Sequence, residues 1–514
     1  MNQNSKTIKK IRTVKKITAI ILLAALFIIL LFACGNDDGG NGVTPGGTDR
    51  QNQANQGSGQ NQAGGEEESE QLRPDLPDVY YDDYVFTILS TVDRDFFTDY
   101  FLAEEINGDI INDAIFNRNT YVEEKYGVKI NSVILKPGLL DWSGGAEAIR
   151  KSVMSGSFDY DAGMIWCYDA GTLATEGLLL DLNNLSPLNL SKPWWDQRIN
   201  EELIIKNKMF FTVGDISMQM NDAVISVLFN KQIKQDFGID ENFYELAKNG
   251  KWTLDKLGEL ARIVSVDMNG DGIMDQNDQY GLLVTNGVAQ FVISSAGEKC
   301  ATVNSFDKME LTLYTERTLS AFNKYMEYAL DTDITVPTQI YSPDAYFNMF
   351  KNNQGLFLVY GTKIVPELRS MENDFGILPM PKLDEKQSRY YSPSVNYWTM
   401  FICVPNVQEN PQRTAVILEA LAAESRYTLL PAYYEKSLMS KHVRDEESRE
   451  MLELMFDTRT YDIGWYYKIG NYDVAIAGLF ANRKTDFTSM YEKTLPSAEA
   501  AIANINAMFD EFVN

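Results

Sequence analysis

Histidine is almost absent from this chain, with His442 the one residue of its kind among 514. It stands in a charged run, Lys441 to Asp445. Any Ser-His or Cys-His catalysis would depend on that one imidazole. No Gly-x-Ser-x-Gly, Walker loop or Gly-x-Gly-x-x-Gly accompanies it, so acyl and phosphoryl transfer have no recognisable machinery. Cysteine is nearly as scarce. Cys34, Cys167, Cys300 and Cys403 stand far apart with no Cys-x-x-Cys pair, so neither a disulfide framework nor a zinc site is indicated. Cys403, inside the apolar run Met400–Val404, reads as a buried free thiol. Positive charge is short as well: 46 Lys and Arg face 72 Asp and Glu, for a formal charge of −26. Such a polyanion is repelled by nucleic acid and by anionic lipid surfaces, which removes both as partners. It also disfavours a strongly anionic ligand unless local positive charge overrides the field.

The first thirty-five residues combine a cluster of bases with a long apolar run. Six bases (Lys6, Lys9, Lys10, Arg12, Lys15, Lys16) precede an apolar run from Ile17 to Phe32, which ends in Ala33-Cys34-Gly35. A charged start, an apolar core and a small residue before a cut describe an export signal rather than a spanning helix. Cysteine directly after the cut resembles the bacterial lipoprotein box, which implies a diacylglycerol on the Cys34 thiol and a lipid anchor in the membrane. Removing residues 1–33 takes away six bases and no acids, moving the formal charge from −26 to −32. Gly35 to about Glu70 is Gly, Asn, Gln, Asp, Ser and Glu with almost no large apolar side chain. It cannot bury enough surface to offset its ordering entropy, and residues 34–77 read as a disordered tether. A flexible chain of about 36 residues spans on the order of 30–36 Å.

The remainder is too long for one compact core and suits two lobes. Strand and helix patterns alternate: Val85–Ser90 extended, Asn112–Tyr126 helical with Gly127 as its stop, Val128–Ile134 extended, Ala146–Ser155 helical, Tyr160–Trp166 extended, then a short helix ended by Gly177. Strands separated by such helices mean βαβ crossovers and a parallel sheet, an α/β fold. Ligands then bind beyond the carboxyl ends of the strands.

Several stretches resemble the extracellular solute-binding proteins of bacterial ABC importers, in the sugar-binding (family 1) branch. They are Tyr160 to Leu182, Lys192-Pro193-Trp194-Trp195, Gly214-Asp215-Ile216-Ser217, Ala223 to Lys231, Gln354 to Gly361 and Phe375 to Pro381. Their order and spacing, with the lipoprotein leader, carry the likeness from about Val79 to the C-terminus. The resemblance implies a bilobal periplasmic-binding-protein-like fold with a multi-strand hinge. Residues 78–224 and 396–427 form one α/β lobe, and 229–391 with 428–514 the other. It further implies a monomeric, non-catalytic receptor that hands a mono- or oligosaccharide to ABC permease subunits, anchored on the extracellular face of the cell membrane.

Strand ends nominate the cleft. Thr91, Asp93 and Arg94 follow the first strand, and Trp166, Tyr168 and Asp169 the third. Asp215 follows Met209–Val213, and Asn221 and Asp222 precede the crossing strand. Tyr360, Tyr397, Trp398 and Trp465 complete the set from the other lobe and the return crossing. Carboxylates and amides bond sugar hydroxyls, while indole and phenol faces pack on the apolar face of a pyranose. Trp398 is expected to stack on solute while Asp222 bonds it from the opposite lobe. Trp194 and Trp195 read instead as structural, pinning the loop after Pro193.

A separate motif runs from Asp267 to Asp278. Asp267, Asn269 and Asp271 occupy positions 1, 3 and 5 of an EF-hand-like loop, with Gly272 at the sharp turn, the Ile273 carbonyl at 7, Asp275 at 9 and Asp278 at 12. A helix from about Leu254 to Val264 leads in and a strand from Tyr280 follows, so the expectation is a lone structural Ca2+ clip. Two other classes stay open: a membrane-anchored glycan-acting enzyme with paired carboxylates, and a surface sensor or adhesion protein of the same fold.

Overall fold

A computed structural model of the chain describes residues 72–91, 99–135, 144–336, 343–438 and 446–512. The leader, the expected tether up to residue 71, Asp93, Arg94 and His442 lie outside these residues. The tether's last residues, 72–77, are described. There Arg73 pairs with Glu424 at 2.7 Å while the Leu72 carbonyl accepts the Tyr427 hydroxyl at 3.0 Å, so that end is held against the body. Within the described part, two mixed sheets form the two halves.

The first sheet opens with β1 (Tyr84–Thr91), followed by α1 (Ile110–Tyr126), β2 (Val128–Leu135), α2 (Gly144–Ser155), β3 (Ala162–Trp166) and α3 (Cys167–Thr175). Each boundary has a local cause. Asp109 caps α1 by accepting the Ile111 and Asn112 N–H groups, and Gly127 stops it in the left-handed region at φ 62°. The left-handed Gly177 (φ 68°) likewise follows α3. β1 lies between β2 and β3, parallel to both, with Tyr84 opposite Val128 and Ile88 opposite Ala162.

The chain then forms β4 (Phe211–Thr212), crosses, and enters the second sheet as β5 (Ile225–Asn230). Helix α4 (Leu254–Ile263), β6 (Tyr280–Leu283), α5 (Val288–Ser295), β7 (Gly355–Gly361) and β8 (Phe375–Pro379) follow. That sheet runs β8-β5-β7-β6. β5 is antiparallel to both its neighbours, while β6 and β7 are parallel. The return crossing sends β9 (Met400–Cys403) into the first sheet, antiparallel between β3 and β4. The expected parallel sheet is thus realised among β1, β2 and β3, and broken wherever a strand arrives directly from the other half. Such a strand enters from the opposite end and runs the other way.

Three segments meet at the crossing: Val395 N–H donates to the Ala223 carbonyl at 2.7 Å, Thr362 N–H to Val224 at 2.8 Å, and Val224 bridges Ser394. The terminal helices are α6 (Pro411–Ser425), α7 (Leu429–Leu438), α8 (Glu446–Asp457), α9 (Tyr472–Ala481) and α10 (Phe487–Glu511). Two depart from the expected partition. α7 packs on α1 of the first half, with Leu429, Ala432 and Tyr433 in one apolar cluster with Ile111, Ala114 and Ile115. α10 serves both halves. Its Asn506 exchanges hydrogen bonds with the Met309 backbone at 2.8 and 2.9 Å, and Phe509 lies 5.7 Å from Phe210. Trp194 and Trp195 are buried, and their indole N–H groups both donate to the Glu419 carboxylate, at 3.0 and 2.8 Å. The structural reading of that pair holds.

Candidate functional site

The tip of β3 and the return crossing are stitched together. The Cys167 N–H donates to the Thr399 carbonyl at 2.9 Å, the Trp166 indole N–H to the Tyr397 carbonyl at 3.1 Å, and the Cys167 thiol to the Asn396 carbonyl at 2.9 Å. β7 arrives from the other half with Tyr360 and Gly361 at its end. Gly361 is needed there, because a Cβ would collide with the Trp398 indole. Tyr397 meets Trp398 at 5.7 Å between ring centroids, Trp398 meets Tyr360 at 5.1 Å, and Tyr360 meets Phe347 at 4.7 Å, all edge to face. That is the favoured aromatic geometry. A row of rings thus lies along the seam where both sheets end. Trp166, Tyr360 and Tyr397 remain partly exposed in it.

Two lysines hold the row in place. The Lys468 ammonium is 4.3 Å from the Tyr168 ring centre and 5.3 Å from that of Trp166, and the Lys363 ammonium 3.9 Å from Trp398. Tyr168 donates to Asp473 at 2.8 Å and accepts from the Asn396 amide at 2.5 Å. Burial, then the Asp473 charge, pushes the Tyr397 phenol up to about 12, so at neutral pH it offers a hydroxyl donor.

Of the residues expected in the cleft, the structure brings Trp166, Tyr360 and Tyr397 together at the seam. Tyr168 is beside them but buried and already bonded. Four others are placed differently. Asp169 is 4% exposed and accepts the Ala146 N–H at 2.8 Å, securing the start of α2. It points inward because Gly145 leaves room for its carboxylate. Trp398 is 6% exposed, packed on Gly361 and under Lys363, so it is core and not a free platform. Trp465 is buried too. Asp222 accepts the hydroxyls of Tyr100 at 3.2 Å and Tyr433 at 2.8 Å rather than facing Trp398 across a cleft. Burial raises it to about 6 despite those donors.

Asp215 and Asn221 line a separate polar pocket of about 430 Å³. Lys363, Lys468, Asn396 and Asp473 were not legible as site residues, because lone lysines and a loop Asn carry no positional pattern.

In the 267–278 loop the side chains of Asp267, Asn269, Asp271 and Asp275 accept N–H groups of the loop itself. Asp278 is buried and accepts from Met268 at 3.0 Å and Asp275 at 2.7 Å. Gly270 and Gly272 adopt φ 72° and 79°. Among the described residues no group of three or more His, Cys, Asp and Glu side chains is arranged to hold a metal ion.

No family profile matches the sequence, and no curated protein does. Solved structures do match over most of the chain. A cyclo/maltodextrin-binding protein complexed with maltotetraose superposes with a TM-score of 0.53 at 13% identity, over 84% of this chain and 98% of its own. An ABC substrate-binding protein from Listeria monocytogenes in complex with cycloalternan gives 0.51 at 12%, over 84% and 100%. A solute-binding protein from Agrobacterium radiobacter K84 in complex with ribitol gives 0.51 at 12%, over 82% and 100%. The chain has the bilobal α/β fold of these solute-binding proteins. The expected fold class therefore holds, and the strand-end row lies where the two halves of that fold meet.

Proposed function

We propose that this chain is the lipid-anchored, extracellular substrate-binding component of an ABC importer. It captures a neutral sugar-like solute between its two halves and passes it unchanged to permease subunits. The observation that carries the reading is the row of partly exposed Trp166, Tyr397 and Tyr360 at the joined ends of two sheets. Flat aromatic faces with a phenol hydroxyl at their edge suit a polyhydroxylated ring, and the solved structures this chain resembles are described with an oligosaccharide or a polyol bound. Hinge motion at 223–225, 361–362 and 394–396 would close the halves and exclude water. The anchor is the Cys34 diacylglycerol, and the proposal of a structural Ca2+ at Asp267–Asp278 rests on its donor sequence and its left-handed glycines.

The test is calorimetric titration of the mature protein with mono- and oligosaccharides. Saturable binding of at least one sugar, recovered chemically intact, supports a receptor. Cleavage of the bound sugar would make it an enzyme instead, and absence of binding to any sugar would overturn the reading.

A further inference from the structure

The pocket around Asp215 lies between first-half residues and the α7–α8 region and includes none of the aromatic row. Its charges balance: Arg198, Arg426 and Arg459 against Asp196, Asp215 and Asp457. Asp196 is already saturated, by Arg198 at 3.1 Å, Arg459 at 3.2 Å and the Tyr461 hydroxyl at 2.8 Å. The others are not. Arg426 donates only through Nη1, to the Pro193 carbonyl at 2.9 Å and to Asp215 Oδ2 at 3.1 Å. Its Nε and Nη2 edge and Asp215 Oδ1 make no hydrogen bond among the described residues. Arg459, 7% exposed, gives Nη2 to the side-chain Oδ1 of Asn221 at 2.6 Å, but its Nε finds no acceptor among the described residues. A buried donor left unmet is costly and calls for an explanation. Tyr434 and Phe456 supply aromatic walls.

A free guanidinium edge takes a carboxylate in two parallel hydrogen bonds. A free carboxylate oxygen flanked by aromatic rings takes an ammonium. We propose that this pocket is a second binding site, separate from the aromatic row, for a small zwitterion of the free-amino-acid type. The ligand carboxylate lies on Arg426 and the ligand ammonium on Asp215. A neutral polyol would leave the arginine edge without its charged partner, and an anion alone would meet the Asp215 carboxylate. The volume of about 430 Å³ falls in the range of small-ligand sites.

The test uses the mature full-length protein with glycine, L-serine and L-glutamine as probes, ribitol and maltose as neutral controls, and calorimetry beside thermal melting. The proposal expects at least one amino acid to bind saturably and raise the melting temperature. Asp215→Asn and Arg426→Gln should each weaken that binding tenfold or more while the apo protein melts normally. Trp166→Ala should leave it unchanged. Two separate variants guard against one failing to fold. The proposal is overturned if no amino acid binds, if binding survives both substitutions, or if Trp166→Ala abolishes it, which would place the ligand on the aromatic row. Sugar binding at that row succeeds or fails independently of these outcomes.

Discussion

Asp222 shows how far a single side chain's role depends on its surroundings. Its carboxyl is shared by the Tyr100 and Tyr433 hydroxyls, yet burial raises it to about 6, as it does for Asp215 and Asp462. An acid raised in the folded state holds its proton between about pH 4 and 6, where the unfolded chain has released it. The stability this contributes is complete below pH 4 and lost as pH rises through 6. Wild-type protein should therefore lose melting temperature from pH 5 to pH 7 more steeply than Asp222→Asn, measured by thermal melting at matched ionic strength. Equal slopes would mean that Asp222 titrates normally. The two seam tryptophans divide the same way. Trp398→Ala should destabilise the apo protein by about 3–5 kcal/mol, as for a buried ring. Trp166→Ala, partly exposed, should cost less stability but lower sugar affinity tenfold or more by calorimetry. The reverse pattern would exchange their roles.

At the level of elements, the loop Asp267–Asp278 gives a direct test. If calcium binds there to the native state alone, it stabilises by about 2.7 kcal/mol at a hundredfold excess over Kd. EDTA should then lower the wild-type melting temperature and leave Asp267→Ala/Asp271→Ala unmoved. An unchanged wild-type curve would remove the clip. The elements themselves were largely legible: β1, α1, β2, α2 and β3 lie within a residue or two of their sequence patterns, because alternating or helical apolar spacing and left-handed Gly127 and Gly177 are local signals. What a strand-end rule does not encode is the direction of each side chain. Asp169 and Trp398 both stand near strand ends, yet the room beside Gly145 and Gly361 draws them inward. Helix α7 was misassigned for a similar reason. Its apolar residues do not name their partner in the sequence, and the structure packs them on α1.

For the molecule as a whole, charge and anchor must be considered together. A mature chain near −32 is repelled by an anionic membrane surface. That field decays over a Debye length of about 8 Å at physiological ionic strength. On the proposed lipoprotein reading, a flexible segment of about 36 residues would span on the order of 30–36 Å, more than that layer, and attachment would depend on the lipid alone. Two acyl chains are enough for stable anchoring where one is marginal. Cys34 lies outside the described residues that form the two sheets and the aromatic row, so losing the lipid should leave folding and sugar affinity intact. Expressed in a bacterium that processes lipoproteins, the wild-type chain should partition into the detergent phase of a phase-separation assay. Cys34→Ser, cut free or left unprocessed, should lose its lipid mass while its binding isotherm stays the same. If the wild-type protein carries no diacylglycerol by mass spectrometry, residues 17–32 act as an uncleaved anchor, and the lipoprotein reading of the leader fails.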